Sequence, residues 1–140
     1  MMTASGTRIV RARDIMNTTI HYIDGMATVS EAAQMMRKEK TTSLIVQKRG
    51  PDDAWGLIVS QDIIRGVLIE GKKADIVNVY EIMAKPLITT PAEMDIRYVA
   101  RLMNRVGVRR MPVEESGKLV GMITQADLIL KSSLFGDVFL

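Results

Sequence analysis

The chain has 140 residues, of which 47% are hydrophobic and 25% charged, with a formal net charge of +3. That length suits one compact domain or two small interdependent ones. No apolar run nears the roughly 18–20 residues of a membrane span, and with no cysteine, disulfides, zinc-thiolate sites and cysteine nucleophiles are excluded. The basic excess, 19 Lys and Arg against 16 Asp and Glu, is scattered and aromatics are 4%, so neither a nucleic-acid stripe nor a base-stacking platform is expected.

In chain order, the opening MMTASGTRIVRARD lacks an apolar h-region, so no secretory signal is expected and a cytoplasmic location follows. Residues 1–9 read as a flexible, small and polar tail. An extended piece, TIHYI, precedes an amphipathic helix over about Thr28–Lys38, with Val29, Ala32, Ala33 and Met36 on one face. A strand SLIVQK, a turn RGPDD and a second strand WGLIVS follow. A helix is expected to open at Asp62 and run to about Ile69.

The same order then recurs. Extended PLITT leads to a helix over about Met94–Arg105, with Ile96, Val99, Ala100 and Met103 on one face. Strand RRMPVEE, turn ESGK and strand LVGMIT come next, and a helix is expected from Asp127 to about Ser132. Ile15 and Met16 fall on Ile82 and Met83 at an offset of 67, and Val46 falls on Val113. Asp62 falls on Asp127 at an offset of 65, so the first copy holds two extra residues in its QKRGPDD turn. The expected architecture is α/β, in the α+β sense: two tandem βαββα-like repeats related by pseudo-twofold symmetry. A sheet this small cannot bury its face alone, and two copies packed together can. The first repeat spans 10–70, and a linker with the second repeat spans 71–132. The apolar segment 133–140, with Leu134, Phe135, Val138, Phe139 and Leu140, is expected to pack on the module or on a partner subunit.

Each copy ends a strand at Gly-x-x-x-x-x-Asp: Gly56 with Asp62, and Gly121 with Asp127. Asp is a good helix N-cap, which explains an Asp there twice. It does not explain Thr124 three residues earlier, or the Arg109-Arg110 pair.

These features together resemble the CBS domain, named after cystathionine β-synthase, over about residues 10 to 132. The carriers are the Ile-Met lead-in, the Val/Ile-x-x-Ala/Val-Ala helix face and the G-h-h-T/S-x-x-D finish, twice over. VGVRRMPVEESGKLVGMITQADLI, with Pro112 and Gly117, follows the family pattern throughout. The resemblance implies a CBS pair of stand-alone type, a Bateman module. Such a pair is a non-catalytic regulatory unit that binds an adenosine-containing ligand, AMP, ADP, ATP or S-adenosylmethionine, in the cleft between repeats and signals to a separate target protein. No catalytic cofactor is implied. A homodimer through the helices is expected.

By the same resemblance, Asp127 and Asp62 would take the ribose hydroxyls, a task suited to an acceptor-only carboxylate. Thr124 would bond ribose or phosphate, while the matching position of the first copy is Val59, with Ser60 beside it. Met122 and Leu57 would line the adenine slot. Tyr22, Ile23, Thr41, Thr42 and Ser43 would serve the Asp127 site. Thr89, Thr90, Pro91 and Val108 would serve the Asp62 site. Arg109 and Arg110 would face phosphate, although strand alternation sends them to opposite faces. Pseudo-twofold sites need not be equally competent, and Asp127 is the better candidate.

His21, the only histidine, reads as a half-buried strand residue, and Trp55 as a packing residue. Asp52-Asp53 and Glu114-Glu115 read as solvated turn charges. No P-loop, HExxH or GxSxG occurs, and no catalytic constellation emerges. The alternative function is a ligand-free dimerisation scaffold, which Val59 favours. Nucleic-acid binding through Arg8, Arg11 and Arg13 ranks below both, and neither a nucleic-acid nor a membrane partner is expected.

Overall fold

The computed structural model describes residues 8–136, so expectations for 1–7 and for Asp137, Val138, Phe139 and Leu140 lie outside the described residues. The chain forms two compact units. One comprises residues 21–87 and the other residues 1–20 with 88–140.

In the unit of residues 21–87, β1 (Tyr22–Ile23) lies parallel to β2 (Ser43–Val46), and β2 is antiparallel to β3 (Gly56–Val59). The helix between β1 and β2 runs Val29–Glu39 and carries the label α2. It starts one residue inside the expected span, because Thr28 is its N-cap. The Thr28 hydroxyl accepts the Glu31 N–H at 3.1 Å, and the Glu31 carboxylate accepts the Thr28 N–H at 3.3 Å. Ala32 and Met36 turn inward onto Leu44, Val46 and Ile58 of the sheet, while Val29 packs with Val67 and Val77. The helix ends on Lys40, in the left-handed region at φ 54°.

The second unit repeats this plan with β4 (Thr90–Pro91), α5 (Ile96–Val106), β5 (Arg110–Glu115) and β6 (Lys118–Thr124). Asp95 caps α5 by accepting the Arg97 N–H at 3.0 Å. Ile96, Val99 and Met103 bury against Met111, Val113 and Ile123. Gly107 ends α5 at φ 81°, the place that Lys40 fills in the other unit. The hairpin between β5 and β6 turns tightly through Ser116 and Gly117, both at positive φ.

The units do not follow the sequence repeats. The short helix α1 (Ala12–Ile15) opens the first repeat, yet Ala12 and Ile15 pack in the core built by the second. Likewise α4 (Val79–Ile82) opens the second repeat, and Val79 packs in the core of the first. Each lead-in ends as a bridge to the last strand of its unit. Asn17 and Met122 exchange two backbone bonds of 2.8 Å, and Ala84 and Leu57 exchange bonds of 2.9 and 2.8 Å.

That bridge explains the repeated glycine. A Cβ on Gly121 would stand 2.8 Å from the Asn17 carbonyl oxygen and 2.6 Å from the Met16 sulfur. On Gly56 it would stand 2.9 Å from the Met83 sulfur. Only glycine admits the lead-in at this distance.

The helices at the aspartates depart from expectation. They open before the Asp: α3 covers Ser60–Ile63 and α6 covers Gln125–Leu130. The Asp therefore stands at the third helical position and the residue three before it is the N-cap. Beyond Ile63 the chain widens into a π-helical turn, Ile64–Leu68, with the Ile69 N–H reaching the Ile64 carbonyl at 2.9 Å. A Cβ on Gly66 of this turn would meet Ile82 at 2.6 Å, so α4 presses directly on it. Near the C-terminus Leu134 packs against the core of its unit, while Phe135 is 68% exposed.

Candidate functional site

The Thr124–Asp127 corner is built where β6 becomes α6. Thr124 is extended (φ −117°, ψ 161°), and its hydroxyl accepts the Asp127 N–H at 3.1 Å. The Asp127 carboxylate accepts the Thr124 N–H at 2.9 Å through Oδ2. The two residues form a capping box, with Thr124 rather than Asp127 as the cap. One turn on, the Lys131 ammonium lies 3.1 Å from Asp127 Oδ1.

Arg110 stands directly across the β5–β6 ladder from Thr124, and it is half-buried whereas Arg109 is exposed. Burial lowers the Arg110 guanidinium from its ordinary value, the Arg109 charge adds to this, and the Asp127 carboxylate pulls it back up. A nearly buried carboxylate thus has the Lys131 ammonium at one oxygen and lies within the field of the Arg110 charge. With one bond accepted on each oxygen from the protein, it keeps acceptor capacity for hydroxyl groups.

The Asp62 corner is its incomplete counterpart. Asp62 Oδ2 accepts the Val59 N–H at 2.9 Å, but Val59 has no hydroxyl to return the bond. Gly66 stands where Lys131 stands in the other copy, so the i+4 lysine is missing and the cation one turn on is Arg65. Burial raises the Asp62 carboxyl above its ordinary value, opposed by the Val59 N–H and by the Arg65 charge.

Thr41, Thr42 and Ser43 lie at this corner: Ser43 pairs with Val59, and the Thr42 carbonyl accepts the Ser60 N–H at 2.9 Å. The Thr41 hydroxyl accepts the Ser43 N–H at 3.3 Å. Beside them is a largely apolar hollow of about 440 Å³, lined by Met36, Arg37, Thr41, Thr42, Ser60 and Ile63 among others.

Other expected residues stand elsewhere in their units. Tyr22 and Ile23 pair with Ile45 and Val46, toward the hairpin end of β2, and Ile23 is a core residue. Thr90 and Pro91 pair with Val113 and Glu114, well along β5 from Arg110. Thr90 is fully buried, and Thr89 donates its hydroxyl to Glu114 at 3.0 Å. Val108 packs against the core of its unit. Met122 is 8% exposed, and Met122 and Leu57 carry the lead-in bridges. His21 lies with Nδ1 3.9 Å from Glu39.

Lys131 was missed from sequence, although its i+4 spacing from Asp127 is a signal for an ion pair on one helix face. Among the described residues no group of three or more His, Asp or Glu is placed to hold a metal ion. No described helix is long and apolar enough to cross a membrane.

The CBS domain pattern matches residues 12–69 and 79–133. The protein MK0525 of Methanopyrus kandleri is 33% identical over 73% of this chain, and this chain spans about half of it, 52%. A hexameric CBS-CP12 protein from bloom-forming cyanobacteria superposes with a TM-score of 0.86 at 35% identity, covering 91% of this chain and 73% of that one. The CBS domain pair of MJ0100, in complex with 5′-methylthioadenosine and S-adenosyl-L-methionine, is alike in fold, with a TM-score of 0.73 at 24% identity over 86% of this chain and 94% of that one.

Proposed function

This chain belongs to the CBS domain family, as a tandem pair, and from that premise we propose that it is a non-catalytic regulatory module that binds an adenosine-containing ligand at the Thr124–Asp127 corner and signals to a partner protein. The observation that carries this reading is the Asp127 carboxylate, nearly buried, paired with Lys131 and felt by the Arg110 charge across the ladder. Its remaining lone pairs suit the two ribose hydroxyls, which only an acceptor can serve together. The two cations suit phosphate, so AMP, ADP and ATP are favoured over S-adenosylmethionine. Both ligands held by the MJ0100 pair are of the adenosine class. Asp62, with Thr41, Thr42 and Ser43 beside it, forms a second and weaker site, because it lacks both the cap hydroxyl and the helical lysine.

Unfolding temperature measured against AMP, ADP, ATP and S-adenosylmethionine tests the reading. A ligand that binds only the folded chain raises it, by an amount that grows with the logarithm of concentration. No shift with any of the four, at millimolar concentration, would leave the scaffold reading in its place.

That second reading has its own support. Leu68, Ile69 and Ile76 are each 72% exposed in one unit, and Leu130 is 70% exposed in the other. Apolar groups so placed suit a homodimer formed through the helices. Light scattering is expected to return a dimer or a larger assembly; a monomer at micromolar concentration would remove the homodimer from the proposal.

A further inference from the structure

The chain's excess positive charge is not shared between the units. Over residues 21–87 Lys and Arg are as many as Asp and Glu, so the formal net charge of +3 resides wholly in the other unit. Helix α5 concentrates it. Arg97, Arg101 and Arg105 stand four residues apart on successive turns, at steps of about 6 Å, and no acidic residue lies between Ile96 and Val106. Arg101 and Arg105 are exposed. The Arg101 guanidinium lies 5.3 Å from the centroid of the Tyr98 ring, and Tyr98 is itself 56% exposed.

The neighbouring carboxylates are all engaged elsewhere. Asp95 caps α5 and lies 3.7 Å from Arg97 Nε. Glu93 takes up Arg11 and Arg13, and Asp14 accepts the Arg11 N–H at 2.8 Å. On α6, which packs against α5, Asp127 is paired with Lys131. Among the described residues no carboxylate pairs with Arg101 or Arg105. The fold does not require these side chains either. In the repeat alignment Arg97, Tyr98, Arg101 and Arg105 fall on Ser30, Glu31, Gln34 and Lys38, and α2 forms without that stripe. Basic residues that read as scattered along the sequence are thus gathered on α5 by the helical period, whereas Arg11 and Arg13 are neutralised by Glu93.

We propose that this face of α5 binds single-stranded nucleic acid, with Arg101 and Arg105 on backbone phosphates and a base stacked on Tyr98. The unpaired charges select a polyanion. Every cation of the stripe is an arginine, whose planar fork matches phosphate. A flexible strand carrying one phosphate per nucleotide can follow a row of charges along a helix. The exposed Tyr98 ring beside a guanidinium offers the stacking surface that unpaired bases use, and a duplex keeps its bases from it. An acidic protein segment or a membrane surface would need apolar anchors, and on α5 the only exposed large hydrophobic residue is Tyr98. Tyr98, Arg101 and Arg105 lie outside the Thr124–Asp127 corner, so this proposal and the adenosine reading fail separately.

The test is fluorescence anisotropy of a labelled oligothymidylate, about twelve nucleotides long, titrated with the full chain. This probe has neither adenine nor a ribose 2′-hydroxyl, so it does not read the adenosine corner. Saturable binding that falls as salt rises is expected. Arg101→Gln with Arg105→Gln is expected to bind about tenfold more weakly or worse, and to reduce the salt slope by about one per arginine. Tyr98→Ala is expected to weaken binding about tenfold with the slope unchanged, as loss of stacking requires. Lys72→Gln with Lys73→Gln removes as much charge from exposed positions of the other unit and is expected to bind as the parent does. All these side chains are exposed, so circular dichroism is expected to stay the same. Four outcomes overturn the proposal. The parent fails to bind even at low salt, either α5 variant binds as the parent does, the lysine variant loses as much affinity as the arginine one, or polyglutamate displaces the strand charge for charge.

Discussion

Val59 and Thr124 fill the same place in the two copies and differ by one hydroxyl. With it, the Asp127 corner is a closed capping box; without it, the Asp62 box is half made. Val59→Thr supplies the missing acceptor for the Asp62 N–H, and about 1 kcal/mol of added stability is expected in urea unfolding. Lys40 makes a second residue-scale case. It is held at φ 54° where the sister helix uses Gly107. Lys40→Gly relieves the left-handed strain, with a gain of about 1 kcal/mol expected. Asp62 gives a pH signature. Its carboxyl is raised by burial, so its contribution to stability is present below the ordinary carboxylate value and is lost as pH rises through the raised one. Asp62→Asn removes the ionised form and is expected to stabilise the chain at neutral pH more than in acid. Unfolding measured at both pH values decides it.

At the scale of elements, the lead-in helices are the least obvious part of the fold. The 67-residue offset, the apolar faces of α2 and α5 and the turn between β5 and β6 were all legible, because periodicity and glycine placement record local structure directly. That α1 and α4 pack in the unit built by the other repeat was not, since a four-residue helix shows which face is apolar and not which sheet receives it. The π-helical turn after Ile63 has no periodic signature at all. The aspartates were readable as helix-start residues, but their place in the third position was not, because Asp serves both as cap and as capping-box partner. Lys131 was within reach through its spacing, whereas Arg110 was named from the sequence together with Arg109. The glycines that receive the lead-ins give a direct test. Gly121→Ala drives a Cβ against the Asn17 backbone, and a loss of roughly 1–3 kcal/mol is expected. Stability equal to the parent would mean that the lead-in does not lie where the bridge to Met122 puts it.

At the scale of the whole molecule, duplication has produced two units with one plan and different chemistry. One holds a carboxylate in a closed capping box, paired with a lysine one turn on. The other holds a desolvated carboxylate without its helical lysine, and an aromatic hairpin tip. A CBS pair with unequal corners is expected to bind with one strong site per chain. The central claim is that Asp127 is the acceptor for that ligand. Calorimetric titration with AMP and ATP, on the parent and on Asp127→Asn, tests it most directly. Asn keeps an oxygen to accept the Thr124 N–H and so preserves the helix start, while it replaces a twofold acceptor by a group that must also donate. Saturable binding by the parent at one strong site, weakened about tenfold or more in the variant, is the predicted result. Equal affinity in the two proteins would contradict it.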